Sequence, residues 1–169
     1  GNHWEGQPAL NLMSSAVLRP TFLAATEQFW LNMAVSLAVA DTFAPWLTAD
    51  DLRVKWPNDI FVGDKKLGGI LIENVVQGQH LAWSVVGVGL NINQTQFAVP
   101  TATSLQAVAP QPGGHDRAGL LATYCERLEA RYLHLRTGQR DALRSEYLTR
   151  LYRFGEEQPF RTENATFRG

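Results

Sequence analysis

Four short β-rich segments joined by tight connections occupy the middle of the sequence. The segments cover residues 52–55, 59–62, 66–76 and 81–90, and each contains Val, Ile or Leu. Gly63-Asp64 and the Gln-Gly-Gln-His stretch at 77–80 supply turn residues between the later segments. This pattern predicts antiparallel hairpins in which residues 66–76 pair on both sides.

Further elements are predicted before and after these hairpins. Residues 9–18 indicate a strand that ends at Arg19-Pro20. Residues 23–43 predict a helix that is apolar on nearly every face and should therefore be buried. Residues 94–116 lack periodicity and are rich in proline and glycine, which predicts a long surface loop.

Two amphipathic helices follow the loop and are expected to cover the sheet. Asp116 is placed to cap the first, which should end near Gly138, and the second should end near Gly155. After Gln158 the pattern becomes that of a strand that opens a further unit. The predicted apolar faces consist of Leu121, Tyr124, Cys125, Leu128, Tyr132 and Leu135, and of Leu143, Tyr147, Leu151 and Phe154.

Composition limits the partners of the chain. Its 169 residues are 45% hydrophobic and 18% charged, as in an ordinary globular domain. A net charge of −1 makes nucleic acid an unexpected partner. The most apolar stretch, residues 29–40, is too short and too polar for a bilayer crossing, so no membrane partner is expected. The single cysteine, Cys125, excludes an internal disulfide, fits a cytoplasmic protein and is expected in the core.

The two-residue turn at Gly63-Asp64 sets a predicted register. Pairing Val62 with Lys65 places Asp59 opposite Gly68. Neighbouring strands lie about 4.7–4.9 Å apart, so the pairing should gather Asn58, Asp59, Lys66, the glycines and Asn91 in one patch. The remaining predicted pairs are Val76 with Leu81, Gly69 with Val88, Gly68 with Gly89, and Lys66 with Asn91.

The residue types of this patch are typical of a site that activates a carboxylic acid. Gly68, Gly69, Gly87 and Gly89 would leave a flat floor on which a flat ligand contacts backbone. Alternation along the strand would put Lys66 on the face of Gly68 and turn Lys65 away. Structural uses stay open at each position: strand glycines also mark bulges, Asn58-Asp59 also forms turns, Asn91 also caps strands, Lys66 also occurs in solvated turns, and Trp56 also packs in cores.

Three ordered motifs resemble the signature of biotin protein ligases. The resemblance extends over the whole chain and implies an α+β fold in which helices flank a mixed, largely antiparallel sheet, related to class II aminoacyl-tRNA synthetases. It also implies that the biotin carboxylate attacks the α-phosphate of ATP, and that the biotinyl group of biotinyl-AMP passes to a lysine of a biotin carboxyl carrier domain. The motifs are Lys55-Trp56-Pro57-Asn58-Asp59, Lys66-Leu67-Gly68-Gly69-Ile70-Leu71-Ile72-Glu73 and Gly87-Val88-Gly89-Leu90-Asn91-Ile92-Asn93.

The resemblance implies roles for individual positions. Lys66 would be catalytic, because it would hold both the carboxylate and the α-phosphate. Mg²⁺, expected together with ATP, would take oxygen ligands from Asn58 and Asp59. The family often pairs subunits through its sheet, so a homodimer is a possible state. The implied biotin-binding residues are Lys66, Gly69, Leu71, Gly87 and Gly89, and the implied ATP or adenylate-binding residues are Trp4, Lys55, Asn58, Asp59 and Asn91.

The sequence departs from the family at both ends. Biotin ligases have a Gly-Arg-Gly-x-x-Gly loop before the position of Trp4, preceded by a strand and a helix, whereas this sequence opens at Gly1-Asn2-His3-Trp4. Residues 1–155 are therefore expected to be a catalytic core without these elements, and residues 156–169 the start of a truncated SH3-like domain. We expect such a chain alone to bind biotin weakly and to form little biotinyl-AMP.

Two other functions are compatible with the motifs. A lipoate or octanoyl ligase shares the fold class and a related Asn-Asp and Lys-x-x-Gly arrangement, although Trp56 and the run Gly87-x-Gly89-x-Asn91 favour biotin. A noncatalytic biotin-binding or dimerising module is the second, since some relatives repress transcription through an added DNA-binding domain. Preferential binding of lipoate would support the first, and failure to bind ATP would support the second.

Replacing Lys66 with Ala is expected to reduce adenylate formation by roughly 10²-fold or more, because one preorganised charge-stabilising group is lost. Biotin-dependent exchange of pyrophosphate into ATP measures this step. An unchanged exchange rate in Lys66→Ala would refute the proposed role of Lys66.

Overall fold

One antiparallel sheet organises the chain. A computed structural model describes residues 7–162 and 165–169. Within this part, five strands follow the order β1-β5-β4-β3-β2, and every neighbouring pair is antiparallel. The bounds are β1 Leu12–Leu18, β2 Leu52–Lys55, β3 Asp59–Val62, β4 Lys65–Gln77 and β5 His80–Leu90. The predicted hairpins are therefore confirmed, with β4 and β5 slightly longer than the segments read from the sequence.

A buried helix, α1 (Phe29–Phe43), packs against the sheet, and two further helices pack against α1. These are α3 (Arg117–Arg136) and α4 (Arg140–Thr149), and a short helix, α2 (Leu105–Val108), precedes them. The helix is covered by strands on one side and by helices on the other, which fits its sequence, apolar on nearly every face as predicted. The predicted α+β class, with helices flanking a largely antiparallel sheet, is confirmed.

The end of α4 and the chain after it differ from the prediction. The helix ends at Thr149 rather than near Gly155, because the next residues pair with the edge of β2. Val54 N donates to Arg150 O at 2.8 Å, and Tyr152 N donates to Val54 O at 2.8 Å. Phe154, predicted on the apolar face, is 61% exposed. Beyond this segment, β6 (Pro159–Arg161) and β7 (Thr166–Arg168) form a separate antiparallel hairpin.

The apolar face of α3 was predicted only in part. Its buried residues are Leu120, Tyr124, Leu128 and Leu135, which recur at helical spacing. The expectation that Cys125 lies in the core is wrong, because Cys125 is exposed. Leu121, which was also predicted on the apolar face, is 38% exposed. Cys125 and Leu121 each follow a buried residue by one position, so each side chain points about 100° away from the face that packs on α1.

The segment 94–116 is not simply a surface loop. Thr103, Ser104, Leu105 and His115 are buried. Ser104 caps α2 by accepting a hydrogen bond from Ala107 N. The prediction failed because proline and glycine content does not reveal contacts with residues distant in sequence. No helix of the described residues is long and apolar enough to cross a membrane.

Two β-bulges change the predicted register. The pairs Val62–Lys65 and Val76–Leu81 are as predicted. An extra residue in β4, Leu67, then shifts Asp59 from Gly68 to Gly69. An extra residue in β5, Ala82, shifts Gly69 from Val88 to Gly89. The bulges also make two other predicted pairs wrong, Gly68 with Gly89 and Lys66 with Asn91. Gly68 pairs with Leu90 instead.

Gly68 faces the core at a point where β4 and β5 approach closely. A Cβ at this position would lie 2.6 Å from Leu90 Cδ2 and 2.7 Å from Gly89 O. A Cβ on the adjacent Gly69 would instead meet no atom closer than 3.5 Å. Only the first of these glycines is required by packing.

The Gly68→Ala variant should therefore lose about 1–3 kcal/mol of unfolding free energy, because the added methyl forces the backbone of β5 to move. Gly69→Ala is the matched control and should keep or slightly raise the stability. Urea unfolding followed by far-UV circular dichroism measures both variants. Equal stability of the two variants would contradict the close approach at Gly68.

Candidate functional site

An open cavity of about 660 Å³ lies on the sheet, where β1, β4 and β5 meet the turn before β3. This is within the range of about 300–1,000 Å³ typical of ligand pockets. The residues that line it are Met13, Ser14, Ser15, Asn58, Asp59, Lys66, Gly69, Ile70, Leu71, Gly87, Val88 and Gly89. Seven of the residues that the sequence predicted for binding are among them: Asn58, Asp59, Lys66, Gly69, Leu71, Gly87 and Gly89.

Glycines form the floor of the pocket. Gly69 and Gly89 are direct cross-strand partners, and Gly87 is the partner of Leu71. A Cβ on Gly87 would lie 3.4 Å from Leu71 O. Leu71 and Met13, both more than 60% exposed, stand beside this floor as apolar walls. A flat apolar ligand can therefore contact the backbone of two strands at once.

Lys66 and Asp59 form an ion pair at the edge of the floor. Lys66 Nζ lies 2.6 Å from Asp59 Oδ1, and the two side chains are 38% and 29% exposed. The Lys66 Nζ atom is also 3.6 Å from the position that a Cβ on Gly69 would occupy. A cation thus stands over the glycine floor, where it can receive an anionic group of a ligand.

The bulge at Leu67 decides which glycine shares a face with Lys66. Simple alternation predicted that Lys66 and Gly68 face the ligand together. The extra residue reverses the alternation, so Lys66 and Gly69 face the cavity while Leu67 and Gly68 are buried toward the core. The prediction for Gly68 as part of the floor is therefore wrong, whereas Lys66 is correctly placed.

Asn58 connects the turn before β3 to β4. Its Nδ2 donates to Ile70 O at 2.7 Å, and Ile70 N donates to Asn58 O at 2.8 Å. With the amide nitrogen engaged, Oδ1 is the atom that Asn58 can present to a ligand. Asp59 follows directly and contributes a carboxylate. Among the described residues, no group of three His, Cys, Asp or Glu side chains could hold a metal ion by itself.

The turn that leads into Lys66 is anchored from the far end of the chain. Tyr152 Oη donates to Asp64 Oδ1, and Arg153 Nη2 donates to the same atom at 3.2 Å. The hydrogen bond from Tyr152, followed by that from Arg153, lowers the pKa of the exposed Asp64 carboxyl below its ordinary value. Asp64 is therefore ionised at neutral pH and holds the turn to residues 152–153.

Two predicted site residues, Lys55 and Asn91, are not among those that line the pocket, and a further residue, Trp56, is not in the core. Lys55 is exposed, with its Nζ 4.9 Å from the Phe61 ring centroid. Asn91 is buried, and its Nδ2 donates to Thr103 O at 3.0 Å. Trp4 lies outside the described residues. Trp56 could have packed in the core instead of serving a ligand site, but it is 66% exposed.

Met13, Ser14 and Ser15 line the pocket but were not singled out from the sequence. They lie on β1, where Met13 pairs with Gly89 and Ser15 pairs with Gly87. Ser15 Oγ is 4.0 Å from the position of a Cβ on Gly87, so its hydroxyl borders the floor. Two adjacent serines in an otherwise apolar strand were the sequence signal that could have indicated this part of the pocket. Whether these serines border the glycine floor depends on the pairing of β1 with β5, about 70 residues later, which local patterns do not reveal.

The sheet, its glycine floor and the Lys66–Asp59 pair form a pocket on one sheet face whose size and lining suit a small molecule. The sequence pattern of the Biotin/lipoate A/B protein ligase family matches residues 1–91. The chain belongs to this family.

Curated relatives carry related names. The Bifunctional ligase/repressor BirA of Bacillus subtilis (strain 168) is 30% identical over 98% of this chain, and the match covers 51% of that protein. The Biotin--[acetyl-CoA-carboxylase] ligase of Paracoccus denitrificans is 31% identical over 100% of this chain and 72% of its own length. The chain thus spans about half the length of the Bacillus relative.

The fold is shared with solved structures. The biotin protein ligase from Aquifex aeolicus in complex with biotin and ATP superposes with a TM-score of 0.74. The match covers 95% of this chain and 66% of that one at 23% identity. At this identity the comparison establishes a common fold.

Proposed function

We propose that this chain carries the biotin and ATP site of a biotin protein ligase, which forms biotinyl-AMP and transfers biotin to a lysine of a biotin carboxyl carrier domain. The observation that carries the proposal is the position of Lys66 over the glycine floor of the pocket. The names of the curated relatives support the same reaction.

Biotin suits the pocket by shape and by charge. Its near-planar ureido ring can lie against Gly69 and Gly89, which place no side chain between the ligand and the strands. Met13 and Leu71 offer apolar contacts, and the Ser15 hydroxyl can bond a polar group of the ring system. The carboxylate at the end of the biotin tail would then meet Lys66.

Lys66 would act by charge rather than as a nucleophile. In the structure its ammonium group is neutralised by Asp59 at 2.6 Å. A bound carboxylate would share or replace this partner, at low cost because the pair is partly exposed and such pairs contribute about 1 kcal/mol or less. The same ammonium group would stabilise the negative charge that develops on the α-phosphate of ATP during carboxylate attack.

Asp59 and Asn58 are the residues that fit an Mg²⁺ ion accompanying ATP. Mg²⁺ takes one or two carboxylates together with water and phosphate oxygens, so the Asp59 carboxylate and the free Oδ1 of Asn58 are a sufficient donor set. When bound, the ion would neutralise phosphate charge. Lys55, Asn91 and Trp4 remain predicted contributors to ATP or adenylate binding.

The proposal also covers domain organisation, oligomeric state and cellular location. The division into a catalytic core at 1–155 and the start of an SH3-like domain at 156–169, a possible homodimer and a cytoplasmic location all remain predictions. The β6–β7 hairpin is consistent with the beginning of a second unit after the core.

Isothermal titration of residues 1–169 with biotin, lipoate and ATP tests the proposal. We expect biotin to bind more tightly than lipoate, because the glycine floor can contact the near-planar ureido ring of biotin, which lipoate lacks. Addition of ATP and Mg²⁺ should produce only a small amount of biotinyl-AMP, detected by mass spectrometry, because the sequence carries no counterpart of the Gly-Arg-Gly loop. Preferential binding of lipoate would favour lipoate or octanoyl ligase activity, and biotin binding without any ATP binding would favour a noncatalytic module.

The Gly69→Ala variant distinguishes an effect on ligand binding from an effect on stability. Its methyl group would project between the floor and the Lys66–Asp59 pair, 3.5 Å from Asp59 Oδ1. Biotin affinity should fall roughly tenfold or more, on the scale of one misfitted methyl group at about 1–3 kcal/mol. Stability should not fall, since Ala in a strand is favoured over Gly by about 0.5–1 kcal/mol. Unchanged affinity in a folded Gly69→Ala protein would place the ligand elsewhere.

A further inference from the structure

The backbone of Lys66 is held from a side that β5 does not reach. The pairing of β5 with β4 ends at Leu90, opposite Gly68. Beside Lys66, residues 101–103 take the place of β5 and run parallel to β4. Lys66 N donates to Thr101 O at 2.7 Å, and Thr103 N donates to Lys66 O at 2.9 Å. Lys66 thus has hydrogen-bonded neighbours on both sides.

Asn91 stands at the junction between β5 and this replacement segment. Its backbone N donates to Leu67 O at 2.9 Å, next to Lys66. Its side-chain Nδ2 donates to Thr103 O at 3.0 Å. Asn91 is only 5% exposed, and Thr103 is buried as well. A Thr103 carbonyl that lost this donor would therefore be left without a hydrogen-bond partner inside the protein. One asparagine therefore fastens both the strand of Lys66 and the segment that pairs with it.

We propose that Asn91 is a positioning residue for Lys66. Its amide fixes residues 101–103, and these in turn fix the backbone from which the Lys66 side chain extends over the floor. Charge stabilisation requires the ammonium group to be preorganised, so loosening the segment weakens the interaction with an anionic ligand. This inference rests on the proposed function, in which Lys66 binds the biotin carboxylate, and it gives Asn91 an effect that does not depend on ATP.

Asn93 provides a matched control. It also fastens the segment 94–116 through its side chain: Nδ2 donates to His115 O at 3.0 Å, and His115 N donates to Oδ1 at 2.8 Å. These bonds hold the far end of the segment, whereas those of Asn91 hold the part that pairs with Lys66. A general loosening of the segment would make the two variants alike, and positioning of Lys66 would make them differ.

The first experiment compares biotin with biotinol, which has an alcohol in place of the carboxylate. Asn91→Ala should weaken biotin binding roughly 5- to 30-fold, the scale of a hydrogen bond whose loss leaves a buried group unpaired. Biotinol binding should change little in the same variant. Asn93→Ala should change neither, and a Lys66→Ala/Asn91→Ala double variant should bind biotin no more weakly than Lys66→Ala alone.

The second experiment requires no ligand. Site-resolved amide hydrogen exchange, measured by NMR, should be accelerated at Lys66 and Thr103 in Asn91→Ala and unchanged there in Asn93→Ala. Thermal unfolding of both variants establishes that each is folded at the temperature of the measurement.

The outcomes separate the inference from the function on which it rests. Unaltered exchange at Lys66, equal losses for biotin and biotinol, or an effect on ATP binding alone would each overturn the positioning role of Asn91. If exchange at Lys66 were accelerated while the wild-type protein bound no biotin, the proposed function would be wrong and the coupling of Asn91 to the Lys66 backbone would stand.

Discussion

The contact between β4 and β5 at their glycines is the constraint on which the pocket depends. On the core side, Gly89 O and the Leu90 side chain occupy the space where a Cβ of Gly68 would lie. On the opposite side, Gly69 and Gly89 face each other without side chains. Each strand glycine costs about 0.5–1 kcal/mol relative to alanine. The burial of α1 against the same sheet offsets this cost, so the fold can maintain a bare surface for a ligand.

The bulge at Leu67 converts this bare surface into a charged site. Without the extra residue, Lys66 would face away from Gly69 and toward the core. With it, the ammonium group lies over the floor and pairs with Asp59. The partial exposure of this ion pair means that it contributes little to stability. The ion pair instead orients the two side chains, because it keeps a cation and an anion side by side at the pocket, where both can exchange partners.

Segments distant in sequence hold the strand of Lys66 in place. Tyr152 and Arg153 anchor Asp64 in the turn before it, and residues 101–103 pair with Lys66 itself. Under the proposed role of Lys66, its ammonium group has to be aligned with the reacting groups, and a displacement of about 1 Å can cost roughly 10²-fold in rate. The long segment after β5 therefore contributes to the site as well as connecting two elements.

Local sequence patterns were enough to predict the hairpins, the buried helix and the residue types of the site. Turn residues and alternating apolar positions are local signals, and they placed β2 and β3 correctly. The two bulges, the contribution of Ser15 from β1 and the burial of Thr103 could be seen only in the folded sheet. The same is true of the finding that Gly69, rather than Gly68, shares a face with Lys66. A bulge changes the facing of every later residue, and a cross-strand partner lies far away in sequence, so both depend on how the whole sheet packs.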